Sequence, residues 1–430
     1  MKTVYLCMSA DVIHNGHIKI ISRAAELGEL TVGVLTDEAV ATYKRYPLIP
    51  FEERCEIIRS IKGVANIVKQ STLSYNENLQ KLKPDYVVHG DNWRTGVQST
   101  VREQVIEALK AYGGELVEFP YTAQADIADF EKDARKILAM PERRRPRLRE
   151  LLKLKPVLSI LEAHNGLTGL IVENTTAERE GHVVQFDGMW VSSLCDSTAK
   201  GKPDIELVDI TSRVNTIEQI MEVTTKPIIL DGDTGGMLEH FPYLVKTLER
   251  IGVSTVIIED KEGFKQNSLF GTSVKQTQAS IETFSKKIMA GKAAQTTPDF
   301  MIFARIESLV LEQGMEDALA RARAFVKAGA DGILIHSKSK TPDEVFEFLE
   351  RFRAEFKEVP IAVVPTTYNT VTEEELGRRG ANIVIHANHL IRSAFPAMEK
   401  TAKTILENGR SRDVNDLCMS IKDILTLVKL

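Results

Sequence analysis

The chain has 430 residues, 43% hydrophobic and 27% charged, with a formal net charge of −5. It is long enough for two or three domains and has no global basic excess that would argue for nucleic acid. Cys7, Cys55, Cys195 and Cys418 lie far apart without CxxC spacing, which argues against a zinc or disulfide framework and fits a reducing cytoplasm; no apolar run approaches membrane-spanning length.

The apolar start, Val4–Met8, is interrupted by Asp11 and His14 too early for a cleaved leader. Up to about residue 120, strand and helix patterns alternate. The strand-like runs are Val4–Met8, Leu30–Leu35, Ala65–Val68, Tyr86–His89 and Glu115–Phe119; the helical runs are His17–Leu27, Phe51–Ile61, Glu77–Leu82 and Val101–Tyr112. Together they predict a small, doubly wound, Rossmann-like parallel sheet with ligands at the carboxyl ends of its strands. The first such end carries Asp11-Val-Ile-His14-Asn-Gly16-His17 and opens into a helix. Two imidazoles at a helix start, with a glycine admitting close approach, suit phosphate and the charge developing on a leaving pyrophosphate.

Residues 131–155 are strongly charged, with Glu142-Arg143-Arg144-Arg145-Pro146-Arg147 followed by alternating Leu and Lys. This reads as an interdomain linker leading into a helix, with Arg143–Arg145 on a solvated face, the alternative being a site for an acidic partner. The predicted domains are therefore residues 1–130 and 156–430.

From about Val157 a second α/β series begins. Its expected strands are Leu167–Val172, Gly188–Val191, Pro227–Leu230, Val256–Ile258, Phe300–Ala304, Gly332–Ile335, Ile361–Val364 and Ile383–Ile385. Nearly every run ends in polar side chains, which predicts a (β/α)₈ barrel with one reactive rim. Asp231, Asp233 and Glu259 form an oxygen-only set suited to Mg²⁺. Arg305 offers a planar fork for carboxylate or phosphate, and Ser192, His336 and the Lys265–Ser268 loop add donors. The loop after Glu259-Asp260-Lys261 has no cysteine, where a carbon–carbon lyase would want a thiol acid.

His14-Asn-Gly16-His17, Lys44-Arg45 before Phe51-Glu-Glu-Arg54, and His89-Gly-Asp91-Asn-Trp93 occur in the order seen in cytidylyltransferases, which residues 1–120 resemble. That resemblance implies that His14, His17 and Lys44 contact the triphosphate, while Asp11, Gly16, Arg54, Asp91 and Trp93 form the nucleotide site for CTP. Met8-Ser9-Ala10-Asp11 replaces the usual Gly-Thr-Phe-Asp, and Tyr121–Ala128 departs from the family's hydroxyl-rich segment. A domain that binds CTP without turning it over therefore stays open.

Residues 157–430 resemble the phosphoenolpyruvate mutase family of the isocitrate lyase superfamily. The matching segments are Trp190-Val-Ser192-Ser193-Leu194, Asp231-Gly232-Asp233-Thr-Gly, Glu259-Asp260-Lys261 with Asn267-Ser268, Arg305 before Ile-Glu, His336-Ser-Lys338, Pro365-Thr366 and Ala387-Asn-His389. The likeness implies a gating loop carrying Lys265, Asn267 and Ser268, and catalytic roles for Asp204, Ser192, Arg305 and His336. It implies substrate contacts at Trp190, Ser193, Leu194, Asp231 and Glu259. One departure is Gly232 in place of the usual Ala.

A barrel behind a cytidylyltransferase-like domain is similar to the fused enzymes of fosfomycin-type phosphonate pathways. The substrates implied are phosphoenolpyruvate or phosphonopyruvate, CTP, and 2-hydroxyethylphosphonate or 2-aminoethylphosphonate. The expected cofactor is Mg²⁺, with no nucleic-acid or membrane partner and a homo-oligomer formed through the barrel. Phosphonopyruvate hydrolase and a carbon–carbon lyase are the alternatives on the same scaffold.

Overall fold

The computed structural model describes residues 1–43, 46–94, 98–120, 133–179, 182–263 and 265–428. Lys44, Arg45 and the segment 121–128 singled out above lie outside them. The chain divides into two compact units: one holds Met1–Arg143, Glu150–Pro156 and Asn174–Phe186, the other Arg144–Arg149, Val157–Glu173 and Asp187–Leu430.

In the first unit the expected alternation condenses into a parallel sheet of β1 (Thr3–Met8), β2 (Glu29–Leu35), β3 (Val64–Gln70), β4 (Tyr86–Gly90) and β5 (Glu115–Phe119). Their order is β3-β2-β1-β4-β5. Side chains alternate across a strand, and β1 shows what that accomplishes. Tyr5 and Cys7 join Trp93, Val105 and Leu109 on one face, while Val4, Leu6 and Met8 join Ile21, Ala24 and Ile58 on the other. The strand order reverses between β1 and β4, so the crevice at their carboxyl ends is the switch point at which ligands bind in such sheets. Met8 leads there into Asp11–His17, and Gly90 into Asp91–Arg94.

In sequence the next strands are β6 (Leu158–Glu162), a hairpin of β7 (Thr176–Arg179) and β8 (His182–Gln185), β9 (Gly188–Val191), β10 (Ile228–Asp231) and β11 (Thr255–Glu259). A two-residue pair, β12 (Lys261–Glu262) and β13 (Thr277–Gln278), precedes β14 (Met301–Ile306), β15 (Gly332–Ile335), β16 (Ile361–Val363) and β17 (Ile383–His386). Strands β6, β9, β10, β11, β14, β15, β16 and β17 close into a parallel barrel. Ile228–Leu230, Val256–Ile258 and Ile333–Ile335 are almost wholly buried, each such side chain contributing about 1.5–3 kcal/mol. Burial on both faces is why these strands read as continuous apolar runs. The β7–β8 hairpin belongs to the first unit: Val183 packs on the Tyr5–Trp93 cluster, and Gln185 Nε2 donates to the Ala41 carbonyl at 2.8 Å.

Two sequence expectations are corrected. Leu167–Val172 is not a strand but the body of a helix, Gly166–Asn174, and the barrel's first strand is Leu158–Glu162. Asn165 Oδ1 accepts from Thr168 N at 2.9 Å, starting a helix that a short apolar run alone cannot distinguish from a strand. Nor is Arg144 a solvated linker residue. It is 2% exposed, and its Nη2 donates to the carbonyls of Thr224 at 2.7 Å and Met221 at 3.2 Å. Among the described residues, no helix is long and apolar enough to cross a membrane.

Candidate active sites

The barrel's polar rim is built where strands end. β9 ends at Val191, and Ser192 caps the helix Ser193–Ala199, its Oγ accepting from Cys195 N at 3.3 Å. Ser193 donates to Asp231 Oδ2 through both N and Oγ, at 3.2 and 2.9 Å. Asp231 closes β10, and Asp233, two residues on, takes the left-handed conformation with φ 53°. Between them Gly232 has a physical reason: a Cβ there would lie 2.6 Å from Val256 Cγ2 and 2.9 Å from Ile258 Cγ2. The neighbouring β-branched strand leaves no space for the alanine that the family pattern suggests.

The loop after β11 lies closed over this rim. Lys265 is 3% exposed; its Nζ donates to Ser193 Oγ at 2.6 Å, to Asp204 Oδ1 at 3.1 Å and to Asp233. Asn267 Nδ2 donates to the other Asp204 oxygen at 2.6 Å. Ser268 Oγ receives Lys261 Nζ at 2.7 Å and Arg305 Nη2 at 2.6 Å. Trp190, Ser192, Ser193, Leu194, Asp204, Asp231, Lys265, Asn267, Ser268, Arg305 and His336 thus line one cleft of about 500 Å³, its solvent mouth included. Asp233 and Glu259 are buried beside it rather than on its lining.

The electrostatics are those of a dry, charged chamber. Burial works against the Lys265 ammonium, yet Asp233, Asp231, Glu259 and Asp204 together hold its pKa above the usual lysine range. Burial also opposes charge on Asp231, but Lys265, Arg305 and Arg213 overcome it and lower its pKa. Glu259 goes the other way: burial dominates and pushes it up to about 7. Neither Glu259 oxygen has a hydrogen-bond partner, although Arg305 Nη2 is 3.4 Å and Lys261 Nζ 3.7 Å away. Burial, then Arg305, keep the His336 pKa low. Among the described residues, no group of three or more His, Cys, Asp or Glu is drawn together as a ready metal cage. The donor set nevertheless fits a hard cation, because a buried carboxylate whose oxygens accept no hydrogen bond belongs to it together with two aspartates.

Sequence reasoning missed the groups that hold this rim in place. Arg213, on the helix Ile210–Met221, donates to Asp233 Oδ2 at 2.6 Å. Glu307 gathers Lys261 at 2.9 Å, Arg305 Nε at 2.7 Å and His336 Nδ1 at 3.2 Å. For Glu307 a signal existed: it lies two residues beyond Arg305 and therefore points to the same side. Val364, Thr366, Ala387 and Asn388 also line the cleft.

In the first unit, His14 caps the helix Asn15–Leu27, its Nδ1 accepting from Gly16 N at 3.0 Å. His17 Nδ1 accepts from His14 N at 3.4 Å, and the two rings lie 3.9 Å apart. Both Nδ1 atoms act as acceptors, which assigns the ring protons to Nε2. Gly16 is needed here because a Cβ would meet the His14 ring at 2.8 Å. Asp11 Oδ1 accepts from Leu48 N at 2.7 Å and Ile49 N at 3.0 Å, tethering the segment that follows Lys44-Arg45.

Two expected nucleotide contacts have other work. Arg54 is fully buried; it donates to the carbonyls of Ile49 at 2.9 Å, Leu35 at 2.7 Å and Ser9, and to Asp37 at 2.6 Å. It binds the loops around the crevice together. Trp93 is 1% exposed, stacked on His89 with centroids 3.8 Å apart, and its Nε1 donates to Glu118 at 2.8 Å. Asp91 opens the turn before it.

Residues 148–406 match the family described as phosphoenolpyruvate phosphomutase, and residues 6–136 match the cytidylyltransferase-like family. A phosphoenolpyruvate phosphomutase of Tetrahymena pyriformis is 37% identical over 286 residues, covering 66% of this chain and 91% of the relative. A phosphonopyruvate hydrolase of a Variovorax species is 34% identical, covering 65% of this chain and 93% of the relative. Among solved structures, the phosphoenolpyruvate phosphomutase of Streptomyces platensis subsp. rosaceus aligns with a TM-score of 0.59 at 36% identity, over 65% of this chain and 93% of that one. A phosphonopyruvate hydrolase complexed with oxalate and Mg²⁺ aligns with a TM-score of 0.55 at 33% identity, over 63% and 89%. With its barrel matched along nearly the full length of these relatives and its rim residues gathered in one cleft, the chain belongs to the phosphoenolpyruvate phosphomutase family and carries a cytidylyltransferase-like unit ahead of the barrel.

Proposed function

We propose that the barrel interconverts phosphoenolpyruvate and phosphonopyruvate, and that the first unit transfers CMP from CTP to a phosphonate with release of pyrophosphate. Both reactions belong to phosphonate biosynthesis. The observation that carries the barrel reading is the closed loop, with Lys265 and Asn267 both held on Asp204 over a rim of Ser193, Asp231 and Arg305.

In the forward direction the phosphoryl group leaves the enol oxygen of phosphoenolpyruvate and is captured by C3 of the resulting enolate. Such a loose, metaphosphate-like species is intercepted by any nearby water. The closed loop excludes it, and Lys265, Arg305 and the Ser192–Ser193 turn offer donors to the phosphoryl and enolate oxygens. Asp204 orients Lys265 and Asn267 beside the migrating group. A magnesium ion would be held by Asp231, with Asp233 and Glu259 acting largely through water, and would supply charge that orients the pyruvyl oxygens. The Mg²⁺ in the related hydrolase structure supports that choice of metal.

In the first unit, the Nε2–H groups of His14 and His17 at a helix start suit the phosphates of CTP. The acceptor is 2-hydroxyethylphosphonate or 2-aminoethylphosphonate. The cytoplasm is the compartment where these substrates and reduced cysteines coexist. We further propose that the barrel self-associates. The helix His389–Asn408 has no buried residue, and Phe395, Met398 and Leu406 are exposed on it, a face that a second copy would cover.

The barrel reading is tested by adding phosphonopyruvate and Mg²⁺ and detecting phosphoenolpyruvate with pyruvate kinase and ADP. ATP formation supports the mutase. Pyruvate and orthophosphate as the only products would assign a hydrolase instead.

A further inference from the structure

The gating loop's two ends are fastened by residues away from the cleft. Its first leg begins at Asp260 and its second ends at Gln278 and Ala279, joined by the antiparallel pairs Lys261–Gln278 and Glu262–Thr277. Asp260 is wholly buried. Its Oδ1 accepts from Glu307 N at 3.0 Å; its Oδ2 accepts from Gln278 Nε2 at 2.8 Å and Arg321 Nη1 at 3.1 Å. The same Arg321 Nη1 donates to the Ala279 carbonyl at 2.8 Å. One guanidinium therefore bridges both legs of the loop. It is itself aimed by Asp317, four residues earlier on the helix Met315–Lys327, which accepts from Arg321 Nε at 2.8 Å and from Ser308 Oγ at 2.7 Å. Ser308 in turn receives Gln278 Nε2 at 3.0 Å.

This clamp connects three elements: the loop stem, the Glu307-Ser308 segment that follows β14, and the helix Met315–Lys327. It holds the stem from which the segment carrying Lys265, Asn267 and Ser268 extends, although neither Arg321 nor Asp260 lines the cleft.

Resting on the mutase reading above, we infer that Arg321 is a positioning residue that sets how tightly the loop closes, and thereby how the phosphoryl group is partitioned between rearrangement and hydrolysis. When the P–C bond of phosphonopyruvate breaks, its electrons remain with the pyruvate enolate. The phosphoryl group is then taken by the enolate oxygen, giving phosphoenolpyruvate, or by water, giving orthophosphate. In the second case the enolate takes a proton at C3 and leaves as pyruvate. A loosened stem admits water without removing any group that touches substrate.

The test follows phosphonopyruvate by ³¹P NMR in wild type, Arg321→Met, Arg321→Lys and Gln278→Ala, with the circular-dichroism melt of each. The expected result for Arg321→Met is a rise of about tenfold in the orthophosphate-to-phosphoenolpyruvate ratio, on the scale by which small displacements change catalysis. Gln278→Ala should shift the ratio in the same direction by less. Arg321→Lys, which keeps the charge and one donor, should restore most of the wild-type ratio. If Arg321→Met does not fold, Gln278→Ala decides the matter. An unchanged ratio in a folded variant, beside a wild type that rearranges phosphonopyruvate, overturns the role of the clamp. A wild type that forms no phosphoenolpyruvate overturns the mutase reading itself.

Discussion

The two sites use opposite strategies with similar ligands in prospect. In the barrel, full charges are buried against one another: Lys265 among Asp204, Asp231 and Asp233, and Arg305 between Glu259 and Glu307. Among the described residues of the first unit, the donors at the crevice are a helix start and two imidazoles, while the nearby guanidinium of Arg54 is turned wholly onto backbone carbonyls and Asp37. On the proposed reaction the barrel has to keep water from a transient phosphoryl species, and a closed, low-dielectric chamber strengthens each of its ion pairs. The proposed nucleotide transfer needs oriented donors and room for a pyrophosphate to leave, roles that the account gives to the partly exposed His14 and His17.

Breaking the charged chamber should have the largest effect. Lys265→Ala should cut phosphonopyruvate conversion by about 10³ and leave CTP-dependent pyrophosphate release unchanged. Because Asp204, Asp231 and Asp233 would then face one another, the variant's melting temperature should rise more with added Mg²⁺ than the wild type's does. An equal Mg²⁺ response would mean that the lysine and the metal do not share these carboxylates.

His17→Ala should lower CMP transfer by about 10²–10³ and leave the barrel reaction near wild type. If the barrel reaction also fails, the contrast between independent sites is wrong.

Arg54→Ala sharpens the comparison by separating support from contact. Removing a buried guanidinium leaves three carbonyls without that donor and Asp37 with the Phe51 N–H in place of an ion pair, a destabilisation of about 3 kcal/mol in urea unfolding. A selective rise in KM for CTP with an unchanged unfolding midpoint would instead make Arg54 a nucleotide contact. Gly232→Ala should have the smallest effect, about 1–2 kcal/mol from overpacking against Val256 and Ile258. A neutral result there would mean that the strand shifts to admit the methyl group.

What could be read from the sequence follows from geometry. Asp231, Glu259 and Arg305 stand at strand ends, where a polar residue closing an apolar run announces itself, and the barrel brings such ends together. The groups that brace them did not announce themselves. Arg213 and Arg321 lie on amphipathic helices, where a charged residue ordinarily signals a solvated face, and their partners are 20 and 61 residues away in sequence. Arg144 follows the same logic: a run of arginines reads as solvated, and only the folded chain brings the Met221 and Thr224 carbonyls to one of them. In the first unit, the His14–His17 spacing located the crevice, but whether Arg54 and Trp93 face a ligand or the interior depends on packing that spacing does not encode. Leu167–Val172 shows the remaining weakness, because six apolar residues fit a strand or a buried helix until the cap at Asn165 decides.

The central claim is that one chain carries two separate chemistries, a P–C bond rearrangement and a CMP transfer. The most direct measurement is a ³¹P NMR time course of the wild-type chain with Mg²⁺, phosphonopyruvate, CTP and 2-hydroxyethylphosphonate in one tube, repeated with 2-aminoethylphosphonate. The account predicts that phosphoenolpyruvate appears in both tubes, and that in one of them pyrophosphate appears together with a CMP–phosphonate diester. Orthophosphate as the only product of phosphonopyruvate, with CTP left intact beside either acceptor, would contradict it.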